Sequence, residues 1–322
     1  MSEPVVVAEV VRSGFVESRH HGSVVALDHD GSEAWSVGAV ESTILPRSSN
    51  KPMQLVGMLR CGLDLAPELL ALVASSHSAE PFHLDGVRRI LAGAGLDETA
   101  LPTPAAYPLE DWRRDEVVRD GVRASPLLMN CSGKHAGMLA TCVVNGWDTA
   151  TYRDPEHPLQ VAIRTAFEEL TGVGVDVVGV DGCGAPLFSS TLTGVARAFR
   201  RLALAGPDTP EGIVAAAVRE FPEHVSGSRR DESQLLRALP GAICKAGAEG
   251  CHAAAFPDGR AVALKIDDGE RRARPVVMAG ALRRLGLEHP VLDELAESPV
   301  LGGGDPVGVV RPVLEESTSF PT

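Results

Sequence analysis

A serine and a lysine three residues apart, Ser48 and Lys51, are the first arrangement in this sequence that could do covalent chemistry. They lie where a strand-like region gives way to a helical pattern, and at a helix start both side chains face the same side. A serine hydroxyl is a poor nucleophile until a base takes its proton, and a neutral lysine amine can be that base. Deprotonating an ordinary lysine at pH 7 costs roughly 4 to 5 kcal/mol, which burial and a second cation can supply. Because Ser-x-x-Lys is common by chance, the motif alone favours a plain helix cap at Ser48.

Lysine is scarce in this chain, which gives each lysine more weight. Only four of the 30 lysine and arginine residues are lysines, at positions 51, 134, 245 and 265. Arginine stays protonated, whereas lysine can lose its proton when its pKa is lowered, so lysine can act as a base or a metal ligand. The lysines in serine- or glycine-bearing motifs are therefore candidates for chemistry, although a bias in codon usage would also leave a few lysines.

Two cysteine-bearing loops could hold a metal ion. The segment NCSGKHAG opens a helix and contains Cys131 and Lys134, and the tight turn DGCGAP contains Cys183. Thiolates suit a soft divalent ion such as zinc, but two of them are too few for a structural site. On spacing alone, a zinc site would need a further ligand, such as Lys134, and a water molecule. Cysteines that are simply buried are the alternative.

A second serine and a second lysine follow later in the chain. Ser76 lies in SSHSAE at the end of an apolar helix, where it either caps a turn, relays protons or holds a substrate. Lys245 lies in CKAGAEG, on an edge-like strand that ends in glycines. Ser-x-x-Lys at a helix start followed by a late Lys-x-Gly on a strand is the order found in serine acyl-transfer enzymes that recognise penicillins. In that arrangement Lys245 is the second cation that lowers the pKa of Lys51.

These motifs need a scaffold that brings distant segments together. Valine- and alanine-rich runs within residues 5–37 and 242–266 predict antiparallel hairpins. Apolar residues at helical spacing predict helices within 53–94 and 136–239, and a closing helix over 275–285. Residues 97–128 show no period and predict an irregular surface excursion, whereas 175–180 predict a short buried strand. The predicted fold class is α/β (α+β), with a mostly antiparallel sheet from the N- and C-terminal strands and an inserted helical lobe.

The domain prediction is a single domain over 1–322 with two lobes. The sheet lobe takes roughly residues 1–47 and 240–322, and the helical lobe takes roughly residues 48–239. A cleft between the two lobes is the expected place for a site.

Composition excludes several classes of partner. The formal net charge of -13 argues against nucleic acid and anionic membranes as main partners. No apolar run is long enough for a transmembrane helix, and the N-terminal residues MSEPVV lack the basic region of a signal peptide. We therefore expect a cytoplasmic protein whose six cysteines are reduced.

Taken together, five segments resemble the L-asparaginase II family, the rhizobial-type asparaginases. The segments RSSNKPMQ, SSHSAE, NCSGKHAGM, DGCGAP and CKAGAEG match its pattern in order and span almost the whole chain. The resemblance implies a fold like that of serine β-lactamases and glutaminases, and a homodimer. It also implies two Ser–Lys pairs in one site, which here are Ser48 with Lys51 and Ser76 with Lys245.

The resemblance further implies a zinc ion and the residues around it. The implied ligands are Cys131, Lys134 and Cys183, with His135 and Asp181 beside them and Arg47 and Asn130 as further contacts to substrate or ligands. The zinc is expected to orient the substrate rather than to activate the hydrolytic water.

One segment, SGSRRDES at residues 226–233, departs from the family pattern. The family usually has Gly-x-Gly-Arg followed shortly by Asp-Thr. Here Arg229 stands where the second glycine would be, and Glu232 and Ser233 stand where Asp-Thr would be. The resemblance therefore does not fix the substrate contacts of this segment or the fine specificity.

The expected activity is hydrolysis of the side-chain amide of L-asparagine to L-aspartate and ammonia. Ser48 would form the acyl-enzyme with Lys51 as base, while Ser76 and Lys245 relay protons and bias Lys51 toward its neutral form. Two alternatives stay open. One is a penicillin-recognising type of serine hydrolase acting on another amide, and the other is a non-catalytic zinc-binding protein of the same fold.

Overall fold

The computed structural model describes residues 5–314. Its strands are β1 Val5–Arg12, β2 Phe15–Leu27, β3 Glu33–Val37, β4 Val178–Val180, β5 Pro186–Phe188, β6 Ile243–Ala246, β7 Cys251–Ala255, β8 Ala261–Ile266, β9 Ser298–Gly302 and β10 Asp305–Pro312. Its helices are α1 Lys51–Arg60, α2 Pro67–Val73, α3 Pro81–Gly93, α4 Asp111–Arg119, α5 Ser132–Asn145, α6 Pro158–Thr171, α7 Leu192–Leu204, α8 Pro210–Glu220, α9 Pro222–Val225, α10 Asp231–Ala238, α11 Ala273–Arg284 and α12 Pro290–Leu295. Short 3₁₀ turns lie at Arg47–Asn50 and Glu98–Ala100.

One antiparallel sheet joins the two ends of the chain. Its strands lie in the order β6-β7-β8-β2-β1-β10-β9, and β3 also pairs with β2. The N-terminal hairpin lies in the middle, because β2 pairs with β8 on one side and β1 pairs with β10 on the other. The predicted mostly antiparallel sheet built from N- and C-terminal strands is therefore confirmed, and β6 is an edge strand as expected.

Helices cover the sheet and fill the segment between its strands. Helices α7 and α11 pack on the sheet, where Val276, Val277 and Leu282 are buried. Helix α1 packs against α6 and α8 inside the helical lobe, with Met53, Leu55 and other apolar side chains buried. Burial of these apolar faces is the main stabilising term, and it fixes the start of α1 relative to the sheet. Mixed helices and a curled antiparallel sheet confirm the fold class.

Three local predictions were wrong or incomplete. Residues 97–128 contain α4, whose exposed and charged sequence gives little apolar period. The strand predicted over 175–180 is only three residues long and is exposed, with Val180 81% accessible, because it pairs only with β5 in a separate two-stranded hairpin. The sequence reading also missed the hairpin of β9 and β10, which extends the sheet beyond the closing helix. Residues 1–4 and 315–322 of the predicted sheet lobe lie outside the described residues.

Candidate active site

A cleft of about 230 Å³ lies next to the end of β6. The segments before β6 line it with Ser48, Ser76, Leu109, Asn130 and Arg230, and the chain from the end of β6 onward lines it with Ala246, Gly247, Ala248, Glu249, Gly269, Arg271 and Arg274. Residues far apart in sequence thus meet around one small cavity. Both candidate serines lie on its wall.

Ser48 lies in a strained turn, residues 47–50, at the start of α1. Arg47 has a φ of 52°, a left-handed conformation that is uncommon for a residue other than glycine. Its guanidinium Nε donates to Asp181 Oδ1 over 2.9 Å, which ties the turn to the DGCG loop. Ser49 Oγ donates to the carbonyl of Pro46 over 2.6 Å and closes the turn from inside. The strain at Arg47 is therefore held by contacts on both sides, and Ser48 is fixed at the mouth of the cleft.

The end of β6 packs against this turn without room for a side chain. A Cβ at Gly247 would lie 2.8 Å from the carbonyl oxygen of Pro46 and 3.2 Å from the backbone nitrogen of Ser48. Both atoms belong to the backbone, so neither can move aside easily. Only glycine allows the chain after Lys245 to approach the Ser48 amide this closely.

Lys51 lies beneath the cleft, with its ammonium group fully enclosed. Its Nζ donates to Ser76 Oγ over 3.0 Å and to Cys131 Sγ over 3.2 Å, and a third, short hydrogen bond goes to the carbonyl of Ser75. Within residues 5–314, the hydroxyl of Ser48 has no hydrogen-bond partner, and Lys51 contacts the second serine instead of the first. The contacts thus differ from the expected pairing of Ser48 with Lys51.

Lys245 is held by a carboxylate that the sequence did not single out as catalytic. Its Nζ lies 2.5 Å from Glu232 Oε1 and donates to the carbonyl of Ala246 over 2.8 Å, in place of the expected contact with Ser76. Both side chains of this ion pair are fully buried. Burial lowers the pKa of Lys245 to about 8, and the positive charges of Arg230 and Lys51 act in the same direction, whereas Glu232 opposes the shift. Lys245 can therefore change its charge near neutral pH.

Glu232 in turn lies at the centre of a buried charge network. Its other oxygen accepts a hydrogen bond from Arg230 Nη2 over 2.7 Å, and Oε1 also accepts from the backbone N–H of Ala246. Although burial opposes ionisation, the charges of Lys245 and Arg230 hold the pKa of Glu232 well below its usual range. The segment that departs from the family pattern thus supplies the partner of Lys245. Arg229, which replaces a glycine of the pattern, stacks on Trp112 outside the cleft.

The two cysteine loops meet next to Lys51. The ligand atoms of Cys131, Cys183 and Asp181 all lie within 4.8 Å of one another, and Lys134 Nζ lies 3.1 Å from Cys183 Sγ. The hydrogen bond from the Cys131 thiol and the Lys134 ammonium lower the pKa of Cys183, so this sulfur carries the negative charge of the pair. The same hydrogen bond and burial raise the pKa of Cys131. A thiolate, a second sulfur, a carboxylate and an amine form a donor set that suits zinc.

His135 lies beside this cluster and is oriented by a tyrosine. Its Nδ1 forms a short hydrogen bond with the hydroxyl of the fully buried Tyr152, and within the described part of the chain its Nε2 has no hydrogen-bond partner. Burial lowers the pKa of His135 to about 4, so the ring is neutral at physiological pH. Tyr152 was missed in the sequence, because a lone tyrosine in a loop carries no motif.

The structure therefore places every predicted site residue at or beside one cleft. Ser48, Ser76 and Asn130 line it, Lys51 and Lys245 lie behind it, and the cysteine cluster adjoins Lys51. Sequence reasoning missed Glu232 as a partner of Lys245 and missed Arg274 entirely, although the charged run at 226–233 marked the region.

Comparison with known proteins identifies the family of this chain. The sequence matches the L-asparaginase II family over residues 8–312, which is nearly its whole length. The chain belongs to the L-asparaginase II family. Family membership supports amidohydrolase activity on a small-molecule substrate. No curated protein sequence matches the chain.

Several solved structures share features of the fold at low sequence identity. A β-lactamase from Mycobacterium bovis is 12% identical, with 83% of this chain and 95% of that chain covered and a TM-score of 0.47. EstCE1, a hydrolase with promiscuous acyltransferase activity, is 13% identical, with 86% and 92% covered and a TM-score of 0.42. A Bacillus glutaminase is 12% identical, with 78% and 84% covered and a TM-score of 0.34.

Among residues 5–314, none of the helices is both long and apolar enough to span a bilayer. Assembly as a homodimer and cytoplasmic location stay predictions.

Proposed function

We propose that this member of the L-asparaginase II family hydrolyses the side-chain amide of L-asparagine through a serine acyl-enzyme. The observation that carries the proposal is the position of Lys51, whose buried Nζ lies 3.0 Å from Ser76 Oγ. Ser48, three residues before Lys51 in the 3₁₀ turn that leads into α1, lines the same cleft as Ser76. A buried lysine beside two hydroxyls is an arrangement that can activate a serine.

Ser48 is the proposed nucleophile. It stands at the N-terminal end of α1, where backbone N–H groups have no helical partner and favour a developing negative charge. Gly247 allows the backbone after β6 to lie against the Ser48 amide, so donors from two segments can face the same carbonyl oxygen. Attack by Ser48 Oγ on the amide carbon forms the acyl-enzyme and releases ammonia, and water then releases L-aspartate.

Lys51 and Ser76 are proposed to move the proton that Ser48 loses. Hydrogen bonds in active sites without substrate are often long or differently paired, so the absence of a contact between Ser48 and Lys51 does not exclude direct transfer. The observed hydrogen bond offers a second route, in which Ser76 passes the proton between Ser48 and Lys51. Lys245, whose pKa burial lowers to about 8, can accept or release a proton near that pH.

Zinc is proposed at Cys131, Lys134 and Cys183, with Asp181 as a further oxygen donor near the two sulfurs. When bound there, it would supply a fixed positive charge that orients the substrate. Lys134 now donates to Cys183, and the nearby thiolate raises its pKa, so it must lose a proton to become a ligand. Cys131 Sγ accepts a hydrogen bond from Lys51 Nζ over 3.2 Å, so this cluster directly contacts the proposed base.

The cleft is small for the alternative, a penicillin-recognising hydrolase. Its volume of about 230 Å³ is below the range usual for drug-sized ligands and suits a small amino acid better than a bicyclic antibiotic or a peptide.

The test is ammonia release from L-asparagine and L-glutamine, measured side by side with covalent labelling by a fluorescent penicillin. Release of ammonia from L-asparagine, without labelling, is the expected result. Labelling of the folded protein with no turnover of either amide would reject the proposal. A Ser48→Ala variant with an unchanged melting temperature is the control that separates enzyme activity from contamination.

A further inference from the structure

Two arginines at one end of the cleft have donors that no protein group uses. Arg230 and Arg274 both line the cavity, and each residue is only 4% exposed. Arg274 directs Nη2 to both carboxylate oxygens of Asp231, over 2.8 and 2.9 Å, and Arg230 directs Nη2 to Glu232. Within residues 5–314, Nε of both arginines is buried without a hydrogen-bond partner, and Nη1 of Arg230 makes only an ion pair with Glu110 Oε1 over 3.5 Å.

Such unused donors are costly in a folded protein. A buried N–H group that loses water and gains no acceptor is destabilising, and native structures contain few of them. Two arginines with free donors at the same cavity wall therefore indicate that an acceptor binds there. Since a guanidinium presents paired N–H groups in a plane, its best small partner is a carboxylate.

The charges around the two arginines point to the same ligand. Three buried cations (Arg230, Lys245 and Arg274) face two carboxylates (Asp231 and Glu232). The more exposed side chains of the cavity pair with one another or with a neighbour, Arg271 with Glu110 and Glu249 with Arg47. The buried group therefore has one positive charge in excess, which a single negative charge offsets, whereas a more highly charged phosphate would meet repulsion from Asp231 and Glu232.

We propose that Arg230 and Arg274 form a subsite that binds the carboxylate of a small amino-acid substrate. This assignment rests on the proposed function, because it takes the substrate to be L-asparagine and its α-carboxylate to be the group that binds. The arginines and Ser48 line one cavity, so one small molecule can contact both. The side-chain amide of L-asparagine then lies toward the nucleophile, and the subsite selects amino acids over simple amides.

The first test needs no variant. β-Alaninamide is L-asparagine without its α-carboxylate, so the two substrates differ only in the group that the subsite binds. We expect kcat/KM for L-asparagine to exceed that for β-alaninamide by at least about 100-fold, as expected for losing two charge-assisted hydrogen bonds. Similar kcat/KM values for the two amides would overturn the proposal.

The second test uses Arg274→Lys, which keeps a charge beside Asp231 but loses the planar fork. The preference for L-asparagine over β-alaninamide should fall by about 10-fold or more, mainly through KM of L-asparagine, because β-alaninamide has no carboxylate for the fork to bind. The matched control is Arg272→Lys, a change at a neighbouring exposed arginine that does not line the cleft. An equal loss on both substrates would mean a purely structural role for Arg274 and would reject the subsite.

A binding measurement separates failure of the subsite from failure of the proposed reaction. L-Aspartate and succinate should raise the melting temperature of the unmodified protein, whereas β-alaninamide should not, and Arg274→Lys should weaken the effect. Protection by these carboxylates without any amide hydrolysis would keep the subsite and reject the asparaginase reaction. Hydrolysis of L-asparagine with no such protection and no preference over β-alaninamide would keep the reaction and reject the subsite.

Discussion

Lys51 places its Nζ 3.0 Å from the hydroxyl oxygen of Ser76, a residue 25 positions further along the chain. Lys51 thereby contacts the second serine of the cleft, although the first serine, Ser48, lies only three residues before it in the turn that leads into α1. The two serines consequently have different roles in the proposed reaction, and separate substitutions distinguish them.

Replacing each serine by alanine should give unequal losses. Ser48→Ala should abolish ammonia release, a fall of at least about 10⁴-fold in kcat, because no acyl-enzyme can form. Ser76→Ala should lower kcat by about 10²- to 10⁴-fold, the usual contribution of a proton-transfer group. Steady-state rates and mass spectra of trapped acyl-enzyme measure the two effects, with Ser36→Ala, at a half-buried serine of β3 that does not line the cleft, as control. A larger loss in Ser76→Ala, with acylation still at full rate in Ser48→Ala, would reverse the assignment.

Activity should rise with pH through about 8. Burial lowers the pKa of Lys245 to about 8, and the charges of Arg230 and Lys51 act in the same direction, whereas Glu232 opposes the shift. His252 and Arg274 are the other titratable or charged groups near Lys245. If Lys245 acts in the neutral form, kcat/KM is low at pH 6 and levels off above about 9. Glu232→Gln removes the carboxylate that favours the charged form, so the midpoint should move down by about one pH unit or more.

The control for this experiment is Glu220→Gln, an exposed carboxylate on α8, which should leave the profile unchanged. A profile whose midpoint is the same in Glu232→Gln would show that Lys245 does not set it. The same shift affects stability. Since the folded pKa of Lys245 lies below that of an unfolded lysine, this residue's contribution rises with pH between about 8 and 10.4, where the unfolded chain binds more protons.

Metal content should depend on the two site cysteines and not on the others. The purified protein should contain about one zinc ion per chain, and a chelator should remove it together with part of the activity. Cys183→Ser should lower the affinity for zinc by more than about 100-fold. Loss of a ligand costs more than the change of a residue that only supports a ligand, which lowers metal affinity by about 10- to 100-fold. Cys142→Ser, at a buried cysteine of α5 outside the cluster, is the matched control. Zinc binding that survives in both Cys131→Ser and Cys183→Ser would reject this site.

Gly247→Ala should damage the site through the backbone. The added methyl group would lie 2.8 Å from the Pro46 carbonyl oxygen and 3.1 Å from the Ser49 nitrogen, so the end of β6 must move away from Ser48. We expect a fall of about 100-fold in kcat, comparable to the loss of one oxyanion donor, and a stability loss of about 1–3 kcal/mol. Gly93→Ala, which meets no atom within 4 Å, is the control and should be neutral. Full activity in Gly247→Ala would mean that the close approach is not needed.

The sequence predicts the scaffold well because its signals are local. Valine-bearing runs in β1 and β2 and the apolar period of α1 mark elements that the structure contains. It fails where tertiary contacts decide the structure. Helix α4 is stabilised by Arg113, which donates to the carbonyl of Ala79 and pairs with Glu116, and no apolar period announces these contacts.

The site follows the same rule. Rare residues in glycine-bearing motifs identify Ser48, Lys51, Cys131 and Cys183, since their chemistry is unusual for their surroundings. Glu232 and Arg274 are ordinary charged residues in an acidic, arginine-rich chain, and only their burial against Lys245 and Asp231 distinguishes them. Burial of a particular charge depends on how α10, α11 and β6 meet, which spacing along the chain does not reveal.

The order of strands in the sheet also bears on how the chain is made in the cell. The N-terminal hairpin of β1 and β2 is synthesised first, yet its two outer neighbours, β8 and β10, come from residues 261–266 and 305–312. Until the ribosome has released that last part, both edges of the hairpin are unpaired and open to pairing with other chains. A chain that lacks the C-terminal strand β10 should therefore aggregate rather than fold into a shorter active enzyme. Refolding of the full chain should be slow, because these strand pairings join residues almost a whole chain length apart.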